Sequence, residues 1–123
     1  MLQCGSILRR RPKRDIVAYV PTRIALLHYS LQYELIQPVS GLVDVYREDL
    51  PDRYPLRFHH ICMCVPDWAE FRAELDRRKS PVVIEGGTPG HLQFAYVDAR
   101  DSLGHYLEYC WMTPERWAAM GGH

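Results

Sequence analysis

From Ile16 onward, short apolar runs alternate with proline, glycine and acidic residues at a spacing that suits β-strands. Ile16 to Val20 is the first run, and Pro21 is its expected stop. Ile24 to Tyr29 and Leu31 to Gln37 follow around Ser30, which predicts a hairpin ended by Pro38. Residues 39–56 read as a connection with one short helix near Val43 to Leu50, then a loop marked by Pro51, Asp52 and Pro55. Phe58 to Val65 is again strand-like. Asp67 then predicts a helix N-cap with Glu70 as its capping-box partner. Trp68, Phe71 and Leu75 recur at helical spacing before Arg78, and Ser80-Pro81 ends the helix. Val82 to Glu85 predicts a strand, and Gly86 to Gly90 a flexible hairpin loop or pocket rim. His91 to Val97 and His105 to Trp111 are strands around a turn from Asp98 to Gly104. Thr113 and Pro114 open a C-terminal helix as its cap and first residue.

The order from Phe58 is therefore strand, helix, strand, strand, strand: one complete βαβββ unit in an α+β chain. Three strands stand before it without an opening strand and helix, as in an incomplete copy of the same unit. One domain is expected, in three parts: a basic segment over residues 1–15, an incomplete first unit and linker over 16–56, and the complete unit with its helix over 57–123.

Side chains alternate across a strand, which sorts the polar ones by face. His60, Cys62 and Cys64 share one face, and Tyr106, Glu108 and Cys110 another. On the upstream strand Gln32, Glu34 and Ile36 lie opposite Leu31, Tyr33 and Leu35. The Leu-Tyr-Leu face reads as the core side, which turns Glu34 toward solvent or a polar cavity. One imidazole and two carboxylates suit a divalent ion such as zinc, nickel, cobalt, manganese or iron, and leave positions for water or substrate. Two glutamates and a histidine on a solvated face fit the same spacing. His60 and Cys62, about 7 Å apart along a strand, are a rival pair, but His60 and Cys64 are about 13 Å apart and too distant to share an ion. Small thiols in a core or pocket wall are the commoner use of such cysteines. His28, His91, His105 and His123 stand alone and read as surface or strand-end residues.

Composition narrows the partners. Fifteen basic and fifteen acidic residues cancel among 123, which argues against a nucleic-acid or anionic-surface protein. Arg9 to Arg14 is nearly all basic, but it lacks interleaved aromatics and reads as a solvated edge or loop. The four cysteines, Cys4, Cys62, Cys64 and Cys110, are unevenly spaced, as free thiols of a reducing, cytoplasmic setting. No apolar run is long enough for a membrane span. Leu2-Gln3-Cys4 has no basic and apolar stretch ahead of it, so no secretion signal is expected.

Four stretches together resemble the vicinal oxygen chelate superfamily, closest to its glyoxalase-like and methylmalonyl-CoA epimerase-like members. They are Leu56 to Ile61, Val65-Pro66-Asp67, Phe94 to Asp98 and Gly104 to Glu108. Tyr33 to Pro38 followed by Val45 to Glu48 is similar to the end of such a protein's first module. The resemblance implies paired βαβββ modules forming an open cup of mixed β-sheet around a metal ion, here with the first module incomplete. It implies Glu34, His60 and Glu108 as metal ligands, with Glu108 or Glu34 also able to move a proton. It places Cys62, Tyr96, Tyr106 and Cys110 on the pocket wall. The implied activity is that of a metal-dependent isomerase, epimerase or lyase acting on a small carbonyl compound through a metal-stabilised enolate. The alternative is a metal-free dimer that sequesters a small molecule, as the family's resistance proteins do. The missing first-module histidine leaves its place to water, His28 or a second subunit, and the exposed sheet edge implies a homodimer.

Overall fold

The computed structural model describes residues 2–9, 17–28, 32–41, 43–48 and 56–120, with backbone alone for 2–9, 17–28 and 32. Seven strands form one mixed sheet: β1 (Leu2–Arg9), β2 (Val17–His28), β3 (Gln32–Pro38), β4 (His60–Cys64), β5 (Val82–Thr88), β6 (Leu92–Asp98) and β7 (Tyr106–Met112). Among the described residues four helices accompany them: α1 (Asp44–Arg47), α2 (Trp68–Arg77), α3 (Arg100–Leu103) and α4 (Pro114–Ala119). The strand order is β3-β2-β1-β5-β6-β7-β4. All neighbours are antiparallel except β4 and β7, which run parallel, as a strand and helix leading back into the same sheet require. None of the described helices is long and apolar enough to cross a membrane.

The core lies on one face of β5, β6 and β7. Ile84, Phe94, Tyr96, Tyr106 and Cys110 are buried there, and Val45 of α1 packs against them with Val43, just before that helix. The opposite face is covered by α2, where Leu75 is buried and Phe71 meets Tyr109 at 4.5 Å between ring centroids. The apolar stripe of α2 is thus the side that faces the sheet. Asp67 caps the helix by accepting a hydrogen bond from the Glu70 amide at 2.9 Å. Thr113 does the same for the Arg116 amide at 3.3 Å, with Pro114 in the first turn of α4.

Several expectations are corrected. Residues 2–9, whose structure the sequence leaves open, form β1, which lies inside the sheet, paired with β2 along its length and with Glu85 and Gly86 of β5. Of the basic run, Arg9 ends β1, and residues 10–14 lie outside the described residues. Pro21 does not stop its strand, and β2 runs through it as one element. Pairing with β3 ends at Thr22, opposite Pro38, so Pro21 has a neighbour on one side only and its missing N–H breaks no ladder there. Gly86 and Gly87 belong to β5 instead of a mobile rim, and the turn shrinks to Pro89 to His91. Gly87 has φ 128°, and a Cβ there would collide with the Leu92 carbonyl, so the pairing with β6 requires glycine. Residues 98–104 contain α3, ended by Gly104 in the left-handed region. The helix expected from Val43 to Leu50 is confined to α1, while residues 49–55 and the hairpin turn at Ser30 lie outside the described residues.

β3 also presents its faces the other way round. Tyr33 and Leu35 are 55% and 45% exposed, and the alternate residues Glu34 and Ile36 are the more covered. The polar face of this strand is the enclosed one. β3 and β4 end the strand order on opposite sides, yet Glu34 touches His60. The sheet therefore curls until its two edges face each other, beyond the usual twist of an open sheet.

Candidate metal centre

Glu108 projects from β7 and His60 from β4, its parallel neighbour, where Cys62 stands opposite Glu108. His60 is one pleat away on the same face, so its ring reaches across to the carboxylate. Glu34 arrives from β3, across the gap between the two sheet edges. His60 Nε2 lies 3.0 Å from Glu108 Oε2 and 3.3 Å from Glu34 Oε2. One donor atom from each residue lies within 4.8 Å of the others. Among the described residues this is the one group of three or more histidine, cysteine or acidic side chains so arranged. The side chains of His60, Glu108 and Glu34 are 8%, 13% and 28% exposed.

Two carboxylates converging on one ring nitrogen with little water around them need a positive charge between them. Burial alone pulls the His60 pKa down. The hydrogen bonds and charges of Glu108 and Glu34 outweigh it and raise the value to about 9. A proton on Nε2 is one way to supply the charge, and a metal ion is the other. Ligand atoms bonded to one ion at about 2.0–2.2 Å sit roughly 3–3.6 Å apart. The two measured separations already fall in that range, so the donor set fits a divalent ion in both chemistry and spacing.

Aromatic rings form the floor. Tyr96 stands edge-on to His60 at 5.0 Å and at 5.9 Å from Tyr46 of α1, with which it shares a hydrogen bond. Burial pushes both phenols well above their ordinary pKa, so they stay neutral. Glu48, just after α1, accepts from the Tyr106 hydroxyl at 3.4 Å and from Arg100 at 3.3 Å. Arg100 in turn lies 4.8 Å over the Tyr106 ring and pairs with Asp98 at 2.7 Å. These contacts hold the end of α1 against the sheet beside the three donors.

The other residues singled out from the sequence divide clearly. Tyr96, Tyr106 and Cys110 are packed in the core, and of the three Tyr96 also borders the His60 ring. Cys62 and Cys64 are exposed as whole residues, but their sulfurs are partly buried, each 3.4 Å from that of Cys110. The hydrogen bond to Cys110, with burial, drives the Cys62 thiol strongly upward, and burial first and Cys110 second raise Cys64 to about 12. Neutral thiols are poor nucleophiles, which disfavours Cys62 and Cys64 in cysteine catalysis, whereas the hydrogen bonds with those two thiols lower the pKa of the Cys110 thiol, which is buried in the core. His91 is exposed in the β5–β6 turn, and His105 Nδ1 lies 2.7 Å from the Tyr106 carbonyl. His28 ends β2, and its side chain and the whole of His123 lie outside the described residues.

His59 belongs to the site although strand alternation does not mark it. Alternation assigns it to the face opposite His60, but β4 begins only at His60, so the rule does not reach back to His59. Its ring turns inward, packed at 4.9 Å from Tyr106 and 5.0 Å from Tyr46. Its Nδ1 lies 3.0 Å from His60 Nδ1, and its Nε2 lies 2.8 Å from the Val45 carbonyl. Burial, only partly offset by the Val45 carbonyl, lowers its pKa to about 4. No protein-family model matches this sequence, and no curated protein is significantly similar to it.

Proposed function

We propose that the chain is a glyoxalase-like, metal-dependent isomerase, epimerase or lyase of the vicinal oxygen chelate type, acting on a small carbonyl compound. The observation that carries the reading is the convergence of Glu34, His60 and Glu108 from three strands onto a space of ion-binding size. In this reading β4, α2, β5, β6 and β7 are one complete βαβββ module, and β1, β2 and β3 are the remainder of a second. Together they make a cup whose inner face carries the three ligands. A divalent ion held there supplies Lewis acidity, which polarises a substrate carbonyl and acidifies the neighbouring carbon. Glu34, the more exposed carboxylate, is the better placed to accept a proton from that carbon, and Glu108 remains beside His60. Tyr46 and Tyr96 present neutral, buried rings that exclude water beneath His60. A second copy covering the free edge of β3 makes the protein a homodimer. Free Cys62, Cys64 and Cys110 suit a reducing cytoplasm.

One observation favours a metal-free reading. A proton on His60 satisfies both carboxylates without an ion, as its raised pKa indicates. The protein would then be a non-catalytic dimer that binds a small molecule. Metal analysis of protein purified without added ions, followed by titration with zinc, nickel, cobalt, manganese and iron(II), separates the two. Stoichiometric uptake lost in His60→Ala and reduced at least tenfold in Glu108→Gln is the expected result. No uptake of any of these ions would rule out the metal-dependent enzyme.

A further inference from the structure

The His59-His60 pair forms a hydrogen-bonded chain that starts on α1 and leads to the ring whose Nε2 faces the two carboxylates. Its first link is fixed by chemistry. The Val45 carbonyl can only accept, so His59 Nε2, 2.8 Å away, carries a hydrogen and donates it. α1 is a single turn ending at Arg47, and the last carbonyls of a helix find their partners outside it. The second link is the 3.0 Å contact between the two Nδ1 atoms, which holds one hydrogen and not two. If it belonged to His59, that ring would carry a full positive charge. Among the described residues its ring packs against Tyr46, Tyr96, Tyr106 and His60, and Glu34 acts on it only from a distance, too weakly to offset burial. An uncompensated charge in such a place is costly. The hydrogen therefore belongs to His60, and His59 accepts it.

The consequence appears at the far nitrogen. A neutral His60 with its hydrogen on Nδ1 must present a bare lone pair at Nε2. That lone pair points between Glu34 and Glu108, where all three donors repel one another until a cation joins them. The neutral imidazole has two tautomers, and the partner of one nitrogen decides which is present. Here that partner is a second histidine, itself fixed by a backbone carbonyl and three aromatic rings. We propose that His59 is the positioning residue of the centre: through the chain Val45 carbonyl, His59, His60 it fixes the tautomer and tilt of His60 and presents Nε2 to a divalent ion. The proposal rests on the metal reading for its effect on affinity, whereas the chain itself exists with or without an ion.

Two measurements test it. In metal-free, uniformly 15N-labelled protein, a nitrogen–nitrogen coupling across the hydrogen bond should connect His60 Nδ1 to His59 Nδ1, with His59 protonated at Nε2. Zinc affinity, read by competition with a chromophoric chelator, should fall about 10–100-fold in His59→Leu, the usual cost of losing a partner of a metal-bound histidine. His59→Gln, whose amide can both donate and accept, should recover most of that loss. Absence of the coupling overturns the proposal even if His59→Leu misfolds. So does equal zinc affinity in wild type and His59→Leu, or a His59→Gln variant no better than His59→Leu. A wild-type protein that binds no zinc defeats the metal reading instead, and the coupling alone then decides whether the chain exists.

Discussion

From β4 to β7, the inner face of the sheet carries the core and two of the three converging donors, and the outer face is covered by α2. From β1 to β3, the described side chains begin at Tyr33, and the strand that bears them offers one donor, Glu34, while Tyr33 and Leu35 face outward and exposed. In the second half, strand pairing is joined by burial on both faces. The two halves share the site unequally, with one donor from the first and two from the second. The cost falls on position: Glu34 reaches His60 only while the curl of the whole sheet is maintained.

The contrast can be broken by mutation. Phe94→Ala, in the buried cluster, should destabilise the protein by about 3–5 kcal/mol in denaturant melts. A value near 1 kcal/mol would mean that the β4–β7 half is not the main core.

The next effect sits where the halves meet. In the ion-free protein, the two carboxylates raise the His60 pKa from 6.5 to about 9. A raised pKa stabilises the folded state most below the unfolded value and loses that contribution as pH climbs through the folded one. Stability should therefore fall by about 3 kcal/mol between pH 6.5 and 9. Melts in chelator across that range would show it, and His60→Gln should flatten the slope. An unchanged slope in that variant would mean that Glu34 and Glu108 do not meet His60 in solution.

Smaller effects sharpen the comparison. Asp67→Ala removes the N-cap of α2 and should cost about 1 kcal/mol. Leu35→Ala, at an exposed position on β3, should change stability by less than about 0.5 kcal/mol. A cost above about 2 kcal/mol there would show that the outer face of β3 is covered in solution, by a second copy or another partner.

What could be read from the sequence followed the same division. The stripe of Trp68, Phe71 and Leu75, the caps at Asp67 and Thr113, and the shared faces of His60 with Cys62 and of Glu108 with Cys110 are local patterns. Local hydrogen bonds and periodicity decide them. β1 was illegible because Gly5, Ser6 and Arg9 carry no strand signal, and its place is set by pairing with distant residues of β2 and β5. The faces of β3 were assigned backwards because an apolar face usually points inward. That rule inverts where the enclosed face lines a polar site and the apolar one is left bare. His59 escaped notice because its orientation comes from the Val45 carbonyl, on a helix too short for any periodicity to reveal.

The placement of β1 between β2 and β5 has a consequence for synthesis. β1, β2 and β3 leave the ribosome before β4 to β7 and can pair among themselves as a meander. The outer edge of β1, at Leu8 and Arg9, waits for Glu85 and Gly86, which are made much later. Until then the three-stranded meander shows open strand edges on both sides. The protein should therefore acquire its order late and nearly at once, when β5 arrives and joins the earliest residues to the rest of the sheet.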